Sequence, residues 1–316
     1  MIVCCGEALI DFMPISVEGA PTYRPFPGGS PFNVAIGLGR LGAPAGFLSR
    51  ISTDFFGDML LRTLADNRVD ARYVKRAADP TMLAFVSHRP EGEPQYAFFA
   101  NGAADRCITE HDLPAAFGEE VACLHLGLGA ISTLAEPAAS TFEALLKRES
   151  KRRVLAFDPN VRPGLIKDRE AARARMESWV ALCDIVKVSR ADLDWLYPSR
   201  SFEDSAAAWR GLGPKLVVMT LGADGAMAML DSAKVAVPGR KIGVVDTVGA
   251  GDSFHSALLA GLNEQGYLTR DRLAKLDTGA LKTLLDRAVA AAAITCSRAG
   301  ANPPTQRELE EFLGRD

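Results

Sequence analysis

Short apolar runs at residues 2–4, 46–48, 123–126, 154–157, 185–188 and 216–220 alternate with amphipathic segments at 31–41, 55–67, 136–147, 170–181 and 202–209. That rhythm argues for βαβ units, in which parallel strands are covered by helices on both faces. The expected fold class is α/β: a doubly wound, mostly parallel sheet. Two strong helical patterns, at 251–264 and 278–296, follow in the C-terminal part. No internal repeat or low-complexity segment is visible.

Two stretches break the rhythm. Residues 12–26 are rich in Pro and Gly. Residues 81–101 place apolar-rich runs at 83–87 and 95–99 on either side of Arg89-Pro90-Glu91-Gly92-Glu93-Pro94, which reads as a β-hairpin. Both stretches leave the main domain and return to it. A small β lid over a site is the expectation; an edge hairpin of the main sheet is the plainer alternative. The expected division is a main domain of 1–11, 26–80 and 102–316, with a lid of 12–25 and 81–101. An open hairpin edge also invites pairing with a second copy, so the lid could serve as a homodimer face.

A length of 316 residues with 48% hydrophobic and 24% charged residues suits a soluble globular chain. A formal net charge of −3 provides no general attraction to nucleic acid or an anionic membrane. The basic run Lys147, Arg148, Lys151, Arg152, Arg153 precedes an apolar strand and reads as the solvated end of a helix. The six cysteines form no CxxC pair, and the four histidines are scattered. The start of the chain lacks a basic n-region, and no run approaches transmembrane length. A cytoplasmic protein is expected.

The chemistry concentrates in two runs. In Asp246-Thr247-Val248-Gly249-Ala250-Gly251-Asp252-Ser253-Phe254, three small residues precede a carboxylate at which a helical pattern begins. Gly249, Ala250 and Gly251 can present unpaired backbone N–H groups at a helix N-terminus, where the dipole favours an anion. Asp252, in the first turn, stands where a carboxylate could take a proton from a hydroxyl attacking a phosphate. An ordinary Gly-rich turn capped by Asp is the plain alternative.

The second run is Gly28 to Gly42. Gly28 and Gly29 allow close backbone approach to a ligand. Ser30 reads as an N-cap and Pro31 as the first helical residue. Asn33 can offer a donor and an acceptor to a hydroxyl. Asp11, expected just after the first strand, can accept from two hydroxyls. Together these describe a polyol pocket. Gly37-Leu38-Gly39-Arg40-Leu41-Gly42 matches the dinucleotide pattern GxGxxG, but it ends a helical pattern instead of opening one, so Gly42 is read as a cap. A nicotinamide-dependent oxidoreductase is the distant alternative. No GxxxxGK[ST] run and no protein-kinase signature set occurs.

The two runs, in their order and separation, resemble the paired signatures of the PfkB (ribokinase-like) family of carbohydrate kinases. The likeness extends from Gly6-Glu7 to Gly300-Ala301-Asn302. The segments His125-Leu126-Gly127, Asp158-Pro159-Asn160-Val161-Arg162-Pro163 and Lys187-Val188-Ser189-Arg190-Ala191-Asp192-Leu193 resemble the fructokinase branch. The resemblance implies ATP as phosphate donor, Mg2+, and a K+ site edged by Asp246 and Thr247. It implies Asp252 as base and the Gly249–Gly251 backbone as anion hole. Asp11, Gly28, Gly29, Asn33 and Arg162 would meet the sugar. Lys187, Ser189, Asp192, Thr220, Gly222 and Gly225 would meet the nucleotide. Ser189 and Asp192 stand where many members carry Asn and Glu. The function so implied is phosphorylation of a primary hydroxyl, D-fructose to fructose 6-phosphate first. 2-Keto-3-deoxygluconate, ribose and nucleosides are the alternatives. The small-molecule sugar and ATP are the expected partners.

Overall fold

The structure is a computed structural model that describes residues 1–17, 20–87, 95–127, 135–231 and 233–314. Strands β1 (Ile2–Gly6), β4 (Ala45–Ser52), β5 (Val69–Ala77), β8 (Cys123–Gly127), β9 (Val154–Asp158), β10 (Ile185–Ser189), β11 (Leu216–Thr220), β12 (Ala226–Met229) and β13 (Lys234–Val237) form one sheet. Its order is β13-β12-β11-β10-β9-β8-β1-β4-β5, parallel except at β12 and β13. β1, β8 and β9 are buried at every position. Alternate residues serve opposite faces: Ile2 and Cys4 pack on one side, Val3 and Cys5 on the other. This is why the runs are continuously apolar instead of alternating.

One face is covered by α1 (Ser30–Arg40), α2 (Phe55–Asp66), α7 (Ala250–Glu264), α8 (Arg270–Leu273), α9 (Thr278–Cys296) and α10 (Gln306–Leu313). The other is covered by α3 (Ala138–Glu149), α4 (Arg169–Val180), α5 (Arg190–Leu196) and α6 (Phe202–Leu212). The doubly wound expectation holds. Each sequence-read helix and each apolar run lies on an observed element. β5, β12, β13, α5, α8 and α10 have weaker patterns and are not legible in the sequence. β5, for example, mixes Asp70, Arg72, Lys75 and Arg76 into an edge strand. The basic run does end a helix: Lys147 and Arg148 lie in the last turn of α3, and Arg148 and Arg153 both pair with buried Glu149. Among the described residues no helix is long and apolar enough to cross a membrane.

A second, smaller sheet has the order β3-β2-β6-β7, from β2 (Leu9–Val17), β3 (Ala20–Gly28), β6 (Met82–Ser87) and β7 (Gln95–Phe99). The 83–87 and 95–99 runs pair antiparallel as read, while the turn at 88–94 lies outside the described residues. The stretch at 12–26 is a long hairpin whose strands reach back to Leu9 and on to Gly28. Asp11 therefore lies inside a lid strand, opposite Phe26 and Ala84, instead of following the first core strand. Pro21, Pro25 and Pro27 are tolerated because β3 is the sheet's edge, where a missing N–H breaks no ladder.

Candidate active site

The parallel strands end at one rim, and the polar residues gather there, where ligands bind in open α/β sheets. α7 opens with Gly249 as N-cap at φ 75, a left-handed conformation that favours glycine. A Cβ on Gly249 would also stand 2.6 Å from that of Ala301. Asp252 lies in the first turn. Its Oδ1 accepts from the Ser30 hydroxyl at 2.7 Å and its Oδ2 from the Asn33 amide at 2.9 Å. Both donors sit in the first turn of α1, so two helix N-termini converge on one carboxylate. Burial raises the pKa of Asp252, aided by Asp158 and opposed by Asn33, Ser30 and Lys187.

One sequence expectation changes here. Ser30 is the first helical residue and not the cap; Gly29 caps α1 at φ 108, and a side chain there would meet the Glu7 carbonyl at 2.8 Å. Asn33 gives one amide N–H to Asp252 and keeps a second N–H beside its carbonyl oxygen, so it can still offer both a donor and an acceptor. Gly37–Gly42 does close a helix: Leu41 caps α1 and Gly42 follows at φ 74.

Lys187 is 5% exposed, and its Nζ donates to Asp158 Oδ2 at 2.8 Å. Burial alone would lower its pKa, but Asp158, Asp192 and Asp252 raise it, so it stays charged. A Cβ on Gly251 would stand 2.9 Å from that ammonium, so the small residue lets the cation lie against the α7 N-terminus. A positive side chain and a helix N-terminus thus face the same space. Asp158 as partner is signalled in the sequence only by chemistry: a lysine inside an apolar strand needs a carboxylate nearby.

Asp11 lies beside Gly28, where a Cβ would meet its Oδ2 at 2.3 Å. Burial raises its pKa to about 7, with Glu7 and Asp252 adding and Arg162 opposing. The Arg162 side chain is exposed and donates to the neighbouring Val161 carbonyl at 3.1 Å. Ser189 and Asp192 cap α5 reciprocally, and Asp192 Oδ1 also accepts from Val161 N–H at 3.2 Å. Burial raises the pKa of Asp192. Thr220 ends β11, and the turn through Gly222 is closed by Leu221 N–H to the Gly225 carbonyl at 2.8 Å. Gly225, at φ 100, has no room for a side chain against the Val237 carbonyl. Asp246 accepts from Val248 N–H and Gly300 N–H, tying the loop before α7 to the loop after α9. Among the described residues no cluster of three or more His, Cys, Asp or Glu could hold a metal ion.

Comparison with known proteins places the chain in a family. The model of the pfkB family carbohydrate kinases matches residues 1–308. A fructokinase from Rhizobium leguminosarum bv. trifolii is 44% identical over 283 residues, covering 89% of this chain and 86% of that protein. The fructokinase of Xylella fastidiosa with bound ATP superposes with a TM-score of 0.91 at 26% identity, covering 99% of this chain and 98% of that one. The fructokinase of Vibrio cholerae O395, in its fructose, ADP and calcium ion bound form, superposes at 0.85 with 27% identity and the same coverage. With the match spanning nearly its whole length, the chain belongs to the pfkB family of carbohydrate kinases.

Proposed function

We propose that the protein transfers the γ-phosphoryl group of ATP to the primary hydroxyl of D-fructose, giving fructose 6-phosphate. The 44% identity to a fructokinase carries this reading. Asp252 retains lone pairs beyond its bonds to Ser30 and Asn33, and it accepts the proton of the attacking hydroxyl. The backbone N–H groups of Gly249, Ala250 and Gly251, with the Lys187 ammonium, meet the charge of the transferring group. Asp11, the Gly28–Gly29 backbone, Asn33 and Arg162 orient the sugar. Thr220, Gly222, Gly225, Ser189 and Asp192 line the path of the nucleotide. Mg2+, when bound, neutralises charge on the β- and γ-phosphates. Asp158 and Asp192 would hold it, each with lone pairs left after its bonds to Lys187, Asn160, Ser189 and Val161. So few ligands suit a cation that keeps most of its waters.

A coupled assay of ADP release over a panel of sugars tests the assignment. Fructose should give the highest kcat/KM. A higher value for 2-keto-3-deoxygluconate, ribose or a nucleoside would replace it, and no turnover with any of them would overturn the reading.

Asp11 should matter through sugar affinity. Replacing it by Ala removes an acceptor for sugar hydroxyls and should weaken sugar binding by roughly 1–3 kcal/mol while leaving ATP binding intact. Its raised pKa of about 7 sets the sign with pH. The carboxylate is the better acceptor, so sugar affinity should rise as pH climbs through about 7 in the parent and stay flat in Asp11→Ala. Calorimetric titrations at pH 6 and pH 8 read both effects; an equal loss of ATP affinity would move Asp11 out of the sugar pocket.

Potassium is proposed at Asp246 and Thr247, because a cation there would neutralise the carboxylate that anchors the loop running into Gly249. Activity should be low with tetramethylammonium as sole counter-cation and recover on adding potassium. Full activity before the addition argues against the site.

The lid is the proposed dimer face. Tyr23 and Phe99 are 47% and 64% exposed and flank Phe85 at 5.4 and 5.6 Å. Light scattering should give a dimer mass that Phe99→Glu returns to that of a monomer.

A further inference from the structure

A pair of imidazoles beneath the site has no place in the chemistry above. His125, on β8, and His255, on α7, are both 0% exposed. Their ring centroids lie 4.5 Å apart at an interplanar angle of 35°. Neither ring nitrogen of His255 has a hydrogen-bond partner among the described residues, and His125 has at most a poorly aligned contact with the Ala156 backbone. A buried donor or acceptor left without a partner is destabilising, so two apolar rings would serve packing better. The neighbours on α7 show the contrast: Ser253 and Ser256 are equally buried, yet their hydroxyls donate to the carbonyls of Ala291 and Ser253.

The location gives the pair a use. His255 lies one turn along α7 from Asp252, on the same face of the helix. The Nε2 edge of His125 faces the rim, because a Cβ on Gly127 would stand 3.1 Å from it and 3.0 Å from the Pro31 nitrogen. Pro31 follows Ser30, which bonds Asp252. The two rings therefore bridge β8, the N-terminal turn of α1 and the first turns of α7, the three pieces of backbone that set where Asp252 stands. Burial lowers the pKa of both rings, that of His125 to about 4; Asp158 and the Ala156 backbone oppose it at His125, while the Lys187 charge lowers both and His125 lowers His255. At neutral pH each ring is uncharged and carries one N–H donor and one acceptor. A buried water needs two to four polar partners, and four imidazole nitrogens supply them.

We propose that His125 and His255 are positioning residues that share ordered water beneath α7 and so fix Asp252 against the sugar hydroxyl. This rests on Asp252 as the base, but one arm of the test does not. A high-resolution crystal structure of the unaltered protein should show water bonded to ring nitrogens of both histidines. A dry contact, or direct protein partners that satisfy the nitrogens of both rings, overturns the proposal whatever the enzyme's activity.

The kinetic arm uses His255→Phe and His255→Gln. A small misplacement of a reacting group can cost about 10²-fold, so His255→Phe should lower kcat by roughly 10- to 100-fold with sugar and ATP KM unchanged. The acid limb of its kcat profile, which reports Asp252, should move. His255→Gln keeps a donor and an acceptor and should restore most of kcat and the limb. If His255→Phe folds and matches the parent in kcat and in the position of that limb, the pair does not position Asp252. If Gln behaves like Phe, shared water is not the link.

Discussion

Replacing Asp252 by Asn is expected to lower kcat by about 10²–10⁴-fold, the usual worth of a general base, with sugar and ATP still bound. The surroundings make this an unusually clean substitution. Asp252 accepts from a hydroxyl and from an amide. An asparagine can turn its oxygen to the Asn33 amide and its NH2 to Ser30, whose hydroxyl can accept as well as donate. Shape and hydrogen bonds survive, and the capacity to take up a proton is lost. The pH profile provides a second reading. Burial raises the pKa of Asp252, so it is protonated and inactive over a pH range reaching above the ordinary carboxylate value, and kcat should rise with pH as it ionises. That limb should be missing from the residual activity of the variant. Saturating kinetics from pH 5 to 9 measure both. A variant within about tenfold of the parent would remove Asp252 from the base role.

Lys187→Met should be costly in two separable ways. Lys187 and Asp158 are 6% and 1% exposed as side chains and 2.8 Å apart. Removing one member of a buried pair strands the other charge, typically at about 3–5 kcal/mol. Urea unfolding should show that loss. Activity should fall as well, by about 10²–10³-fold, as when a preorganised donor at a developing charge is removed. The double variant Lys187→Met/Asp158→Leu separates the effects. Replacing a buried ion pair by apolar groups is often neutral for stability, so it should regain most of the lost stability without regaining activity. If the double variant were also active, the ion pair would belong to the scaffold and not to phosphoryl transfer.

Much of this was legible beforehand, for identifiable reasons. The central strands are buried on both faces, so their apolar runs stand out against any neighbour. The pattern at 278–296 coincides with α9 to the residue: Asp277 accepts from Gly279 and Ala280 at its start, and the helix runs unbroken to Cys296. The helix N-terminus at Gly249–Gly251 was legible because small residues there answer a local steric need. The edge strands were not: β13 alternates exposed and buried residues over only four positions, and β5 fully buries just Val69 of its nine. The lid strand β3 was hidden by its prolines, which mark loops in a sequence and are harmless on a sheet edge.

The sequence by itself determined the strand–helix alternation, the small residues that expose backbone at the start of α7, and the presence of a carboxylate one turn into it. These depend on local sterics and on periodic burial, which neighbouring residues carry. Only the tertiary structure decided which groups meet. Ser30 and Asn33 reach Asp252 across 222 and 219 residues, and Lys187 reaches Asp158 across 29. It also gave Asn33 the further task of supporting the carboxylate, and it set the ring of His125 on β8 against that of His255 on α7. A side chain's partner across such separations is set by the order of strands in the sheet and the packing of α1 against α7, and no local pattern encodes either.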